Sequence, residues 1–227
     1  MSVRAHAQLS GIRVRTRRVE GVCVAIPDPI NFEVFFDYQC PYVFRVAGLL
    51  ESVRRSDERD FKVGWRYFSL TQVNSNDQGW TVWGAPAGEK VRGRLAFQAA
   101  EAARRQGRFD ALHGPLLDAR HIGRLDIDDA AVVEEVAERS GLDMARFRED
   151  VADPSVLEAL ARDHRQAVSE LGIFGTPTFV FEDGAAAYVR LSQPVNGTSP
   201  VEVFDRLVSV AAGEPRILEI KRPRRPA

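Results

Sequence analysis

Two short stretches of the chain hold residues that could do covalent chemistry together. Cys40 stands between Pro41 and the mostly apolar run Phe32-Glu33-Val34-Phe35-Phe36, which Asp37 closes. A run of that kind reads as a buried strand. Pro is favoured at the first position of a helix, where its fixed φ fits and its missing N–H costs nothing. Cys40 is thereby expected at a helix start, where unpaired amides and the positive end of the helix dipole favour an anion. A thiol so placed gains thiolate character, and the thiolate is the form that attacks disulfides and other electrophiles. An inert, small buried cysteine is the competing reading. The second stretch, Gly175-Thr176-Pro177, directly precedes Thr178-Phe179-Val180-Phe181. Pro cannot donate within a central strand, so Pro177 is expected just before one, with a cis Thr176–Pro177 bond suiting that place. Asp37 has two readings, a polar neighbour that tunes Cys40 or handles protons, and a strand-end residue bonded to local backbone.

The surrounding pattern supplies elements to position these groups. After Pro41, the residues Val43, Val46, Ala47, Leu50 and Val53 fall on one helical face. Phe61, Val63, Trp65 and Tyr67 then alternate with Lys62, Gly64 and Arg66, a period-two strand. A β–α–β order implies parallel strands joined by a right-handed crossover. The stretch Thr71 to Gly88 is polar and turn-rich, and its Trp80 and Trp83 are expected near Cys40, packed under a helical cap rather than lining a groove. From Glu89 to Leu171 nearly everything has helical spacing, with breaks expected at Gly107, Gly114-Pro115, Gly141 and Asp153-Pro154. The β pattern resumes at Thr178–Phe181, turns at Glu182-Asp183-Gly184, and continues over Tyr188–Leu191 as a hairpin. A final amphipathic helix is expected from about Pro200, with Phe204, Leu207, Val208 and Ala211 on one face.

A βαβ half, a helical block and a ββα half around one mixed sheet make an α/β thioredoxin fold with a helical insertion domain. The expected division is an N-terminal extension over 1–28, flexible and without sustained periodicity. A thioredoxin-like domain follows, built from 29–70 and 172–213 with the helical insertion 71–171 between its halves. A basic tail covers 214–227.

Asp37-Tyr38-Gln39-Cys40-Pro41-Tyr42-Val43, together with Gly172-Ile173-Phe174-Gly175-Thr176-Pro177-Thr178-Phe179, resembles the DsbA-like thioredoxin superfamily. That group includes FrnE-type oxidoreductases, kappa-class glutathione transferases and 2-hydroxychromene-2-carboxylate isomerases. The resemblance spans about Phe32 to Ala212. It implies that Cys40 is the nucleophile, that Pro177 is the cis-proline, and that Thr176 supplies backbone contacts to a bound thiol or peptide, with Pro41 and Tyr42 completing the binding loop. The chain departs from the family's dithiol pattern, because Val43 stands where a resolving cysteine would be. A single thiol can still form a mixed disulfide that a second, external thiol resolves. Three readings follow. The first is a thiol–disulfide oxidoreductase acting through Cys40 alone. The second is a transferase-like or isomerase-like enzyme that binds a low-molecular-weight thiol such as glutathione. The third is a binding module that kept the fold and lost catalysis. No tightly bound cofactor is expected, and a homodimer is one assembly open to the chain.

Composition narrows the remaining classes. The 227 residues carry 31 Lys+Arg against 32 Asp+Glu, a net charge of −1 that provides no field for nucleic acid or an anionic membrane. Five arginines between Arg4 and Arg18 and four basic residues from Lys221 to Arg225 read as solvated ends. With two cysteines a disulfide-stapled scaffold is excluded, and Met1 to Glu20 has no signal-like apolar core, so free thiols in a reducing cytoplasm are expected. Cys23 reads as an incidental thiol. His113, His121 and His164 have no spacing that suggests a metal site.

Overall fold

A computed structural model describes residues 13–19, 22–77, 79–195, 199–214 and 216–220, with side chains from Pro29 onward. The tail residues Lys221–Arg225 and the side chain of Cys23 lie outside the described residues, as does the part of the N-terminal extension before Arg13. The elements in order are β1 (Arg13–Val19), β2 (Val22–Asp28), β3 (Ile30–Phe36), α1 (Pro41–Ser56), β4 (Phe61–Tyr67), α2 (Leu70–Val73), α3 (Arg94–Arg105), α4 (Phe109–His121), α5 (Ala130–Arg139), α6 (Met144–Ala152), α7 (Val156–Ser169), β5 (Thr178–Phe181), β6 (Ala186–Tyr188) and α8 (Pro200–Ala211).

The main sheet has the order β4-β3-β5-β6. Strand β3 pairs in parallel with β4, Ile30 opposite Phe61 and Phe36 opposite Tyr67. It pairs antiparallel with β5, Phe32 opposite Phe181 and Phe35 opposite Thr178. As the central strand, β3 is covered on both faces, which accounts for its near-continuous apolar run. Phe32, Val34 and Phe36 join the main core, while Phe35 meets Phe68, Ala167 and Ile173 on the other side. Helix α1 buries Val43, Val46, Leu49, Leu50 and Val53 in the main core and packs beside α8. Phe204 of α8 reaches the rings of Phe32 and Phe61 at 6.1 and 5.2 Å.

The insertion is organised around α3, which packs against α4, α5, α6 and α7. Its buried residues include Ala96, Ala99, Ala100, Ala102 and Ala103, small side chains that let several helices approach one axis. Helix α7 closes back onto the sheet. The buried carboxylate of Asp163 accepts from Arg66 at 3.0 Å and from the Tyr67 backbone N–H at 3.1 Å, and His164 Nδ1 accepts from the Ser69 N–H at 3.1 Å. Among the described residues, no helix is long and apolar enough to cross a membrane.

Three local expectations are corrected. Gly114-Pro115 does not break a helix: Pro115 lies inside α4. The apolar spacing of Phe109, Leu112, His113, Leu116 and Leu117 runs through it, and their burial holds the helix despite the lost hydrogen bond. The second hairpin strand is Ala186–Tyr188 rather than Tyr188–Leu191. The turn closes tightly, with Gly184 at φ +84°, Gly184 N–H bonded to Phe181 O and Phe181 N–H bonded to Ala185 O, so pairing restarts at once opposite Val180. Finally, part of the segment read as an extension without periodicity is paired: β1 and β2 form a separate antiparallel sheet, and β2 lies against α8. The two runs are separated by two residues in sequence, the spacing of a hairpin.

Candidate functional site

The C-terminal end of β3 delivers Cys40 to the cap position of α1. Its backbone is extended (φ −86°, ψ 115°), its N–H bonds the Asp37 carbonyl at 3.0 Å, and its carbonyl accepts from Val43 N–H at 3.1 Å. Pro41 occupies the first helical turn and is exposed. The Cys40 side chain does not cap the helix. Its Sγ instead donates to the carbonyl oxygen of Thr176 at 3.2 Å. Only 4% of Cys40 is exposed.

The partner loop enters β5. The Thr176–Pro177 peptide bond is cis. Thr178 Oγ1 donates to the Gly175 carbonyl at 2.8 Å, which folds the loop against the strand start. Thr176 is buried and, among the described residues, its Oγ1 has no hydrogen-bond partner. Sheet pairing of β3 with β5 therefore brings Cys40, Thr176 and Pro177 together, with Pro41 and Tyr42 alongside. Val43 is fully buried in the main core.

Asp37 is buried and bonded to backbone. Oδ1 accepts from Gln39 N–H at 2.8 Å and Oδ2 from Leu70 N–H at 2.7 Å, so the carboxylate ties the Cys40 loop to the chain leaving β4. Burial pushes its pKa up to about 6, against the pull of those two hydrogen bonds and of Arg92. Behind the loop, Tyr38 OH and His113 Nδ1 share a 3.1 Å hydrogen bond, and His121 Nε2 bonds the Tyr38 carbonyl at 2.9 Å. Desolvation lowers His113 to about 3, which keeps this buried ring neutral. Trp80 and Trp83 are half-buried and packed on the core; the Trp83 ring meets His164 at 5.4 Å. Among the described residues, no group of three His, Cys, Asp or Glu side chains is placed to hold a metal ion.

Several residues of the site carry no signal in the sequence. Arg190, just beyond β6, lays its guanidinium over the Tyr42 ring, 4.1 Å from the centroid, and donates Nη2–H to the Tyr42 hydroxyl. Arg45, one helical turn after Tyr42, donates to the Leu191 carbonyl at 2.8 Å. Phe174 is 69% exposed beside the cis-proline loop, and its ring meets that of Tyr188 edge-on at 5.1 Å. On the other flank, Gln39, Lys90, Arg92, Arg120, Asp126 and Asp128 line a cavity of about 300 Å³. Gln39 and Phe174 stand inside the two motifs without marking their roles there, and the others belong to no short motif; strand register and the docking of the insertion assemble them.

Residues 32–209 match the DSBA-like thioredoxin domain. The chain is 32% identical over 154 residues to the Na(+)/H(+) antiporter NhaA 3 of Salinispora tropica, a match covering 66% of this chain and 20% of the antiporter. The chain thus spans about a fifth of the length of that relative. Among solved structures, a probable DsbA oxidoreductase from Streptomyces coelicolor superposes with a TM-score of 0.58 at 21% identity, covering 85% of this chain and 94% of that one. The cytosolic disulfide reductase DsbM of Pseudomonas aeruginosa, solved with GSH, superposes with a TM-score of 0.52 at 18% identity, covering 78% and 99%. At such identities the superpositions speak to the fold.

Proposed function

The chain belongs to the DSBA-like thioredoxin domain family, and from that premise we propose that it is a thiol–disulfide oxidoreductase working through Cys40 alone. The observation that carries this reading is the 3.2 Å contact between Cys40 Sγ and the Thr176 carbonyl, beside Pro177. In the proposed cycle, the Cys40 thiolate attacks one sulfur of a disulfide RS–SR. A Cys40–S–S–R bond forms, the RS–SR bond breaks, and RS⁻ leaves and takes up a proton. Val43 offers no sulfur, so an external thiol must attack the mixed disulfide and regenerate Cys40. The Thr176 carbonyl and its neighbouring backbone would pair with the bound substrate once Cys40 is oxidised and no longer donates to that oxygen. Pro41 and Tyr42 would form the facing wall.

Mass spectrometry of the intact protein after exposure to a small disulfide tests the proposal. One adduct per chain is expected, on Cys40, reversed by added thiol and absent in Cys40→Ser. An unmodified Cys40 under conditions that modify free cysteine would overturn it.

A second reading is favoured by Val43 at the resolving position and by the cavity beside Gln39. In that reading Cys40 holds a low-molecular-weight thiol such as glutathione non-covalently, for transfer or isomerisation of a second substrate. Saturable binding of the thiol to the reduced protein, with full activity retained by Cys40→Ser, would select this reading over the first.

A further inference from the structure

The charge at the mouth of the Cys40 site points to a substrate class. Arg190 and Arg45 converge on Tyr42, two residues beyond the nucleophile, with Arg190 at 4.1 Å and Arg45 at 5.2 Å from the ring centroid. Their hydrogen bonds go to neutral acceptors, the Tyr42 hydroxyl and the Leu191 carbonyl. Among the described residues, neither guanidinium has a carboxylate within ion-pair distance. Arg59, Arg66, Arg105, Arg148 and Arg216, by contrast, each pair with Asp or Glu. On the other flank, Lys90 is matched by Asp126 at 2.8 Å and Asp128 accepts from Gly93 N–H at 2.8 Å. The hydrogen bond to Tyr42 raises Arg190 above the ordinary guanidinium range, so its positive charge is kept.

We infer that Arg190, held over Tyr42, is a specificity-determining residue that directs Cys40 toward small disulfides carrying carboxylates near the sulfur. The inference rests on the mixed-disulfide reading above and narrows it. The guanidinium attracts the incoming anion and stabilises the departing carboxylate-bearing thiolate, without itself exchanging a bond or proton. Tyr42 fixes the guanidinium through ring stacking and the hydroxyl, so less side-chain freedom is lost when substrate arrives.

The test compares 3,3′-dithiodipropionate, which is anionic, cystamine, which is cationic, and bis(2-hydroxyethyl) disulfide, which is neutral, by the rate of adduct formation on Cys40. At low salt the anionic reagent should react faster than the cationic one by on the order of tenfold beyond their ratio with free cysteine. That preference should shrink as ionic strength is raised to about 0.5 M. Arg190→Gln should abolish most of it, and Arg190→Lys should restore it in part. A wild-type ratio equal to that of free cysteine, or an unchanged ratio in Arg190→Gln, would overturn the inference while leaving the mixed-disulfide reading intact. Failure of the neutral reagent to modify Cys40 would overturn both.

Discussion

Cys40 Sγ and the Thr176 carbonyl oxygen stand 3.2 Å apart although 136 positions separate the two residues in the chain. The contact follows from one register: Phe35 opposite Thr178 sets the end of β3 against the start of β5, and each strand's neighbouring loop then faces the other. A slip of one residue would turn Phe32, Val34 and Phe36 away from the main core, so core burial enforces the geometry of the thiol.

Val43→Cys would place a second sulfur three residues after Cys40, at the start of α1. On mild oxidation the variant is expected to form the internal disulfide, losing two hydrogens in mass, and to resist the external adduct that modifies the wild type. Its cost in stability should be modest, about 1 kcal/mol, since a small apolar side chain replaces another. An oxidised variant that still takes one external adduct per chain would contradict the placement.

Asp163→Ala should destabilise the protein by about 3 kcal/mol, measured by urea unfolding. The substitution removes the acceptor of Arg66 and of the Tyr67 N–H and leaves that backbone donor unpaired between α7 and β4. Arg66 keeps Glu33 at 2.7 Å, so the guanidinium is not stranded. A loss below about 0.5 kcal/mol would show that this junction contributes little.

Gly93→Ala should cost about 1–2 kcal/mol. Gly93 caps α3 at φ +81°, a left-handed conformation, and a Cβ there would meet Gln39 Cγ at 3.4 Å and Asp37 Oδ1 at 3.8 Å. Since Gln39 adjoins the nucleophile, the rate of Cys40 modification should change as well. Unaltered stability and rate would refute this account of the glycine.

Stability should rise with pH between about 4 and 6. Buried His113 and His164 have pKa values lowered by desolvation to about 3 and about 4, so in this window they bind protons in the unfolded chain and not in the native one. Each therefore stabilises the fold as pH rises toward 6.5. Asp37, raised to about 6, acts in the opposite sense, because the native state keeps a proton that the unfolded state has lost. These three groups alone give a net slope of about one proton, roughly 1.4 kcal/mol per pH unit; His121, lowered by desolvation, adds to it, while Asp118 and Asp128, raised by desolvation, oppose it. Urea midpoints that stay flat or fall from pH 4 to 6 would contradict it.

What was legible in the sequence is whatever neighbours a few residues apart decide. The apolar run of β3, the alternation of β4, the helical spacing after Pro41 and the proline that stops before β5 are each set by local sterics and periodicity, and each appears where the pattern places it. Even there, local rules lost to packing at Gly114-Pro115, where buried neighbours carry α4 through. The pairing of Arg190 with Tyr42, the hold of Asp163 on β4 and the cavity beside Gln39 leave no local trace. They depend on residues tens to more than a hundred positions apart. Such contacts form only when strand register and the docking of the insertion bury enough apolar surface to offset the chain entropy of bringing those residues together.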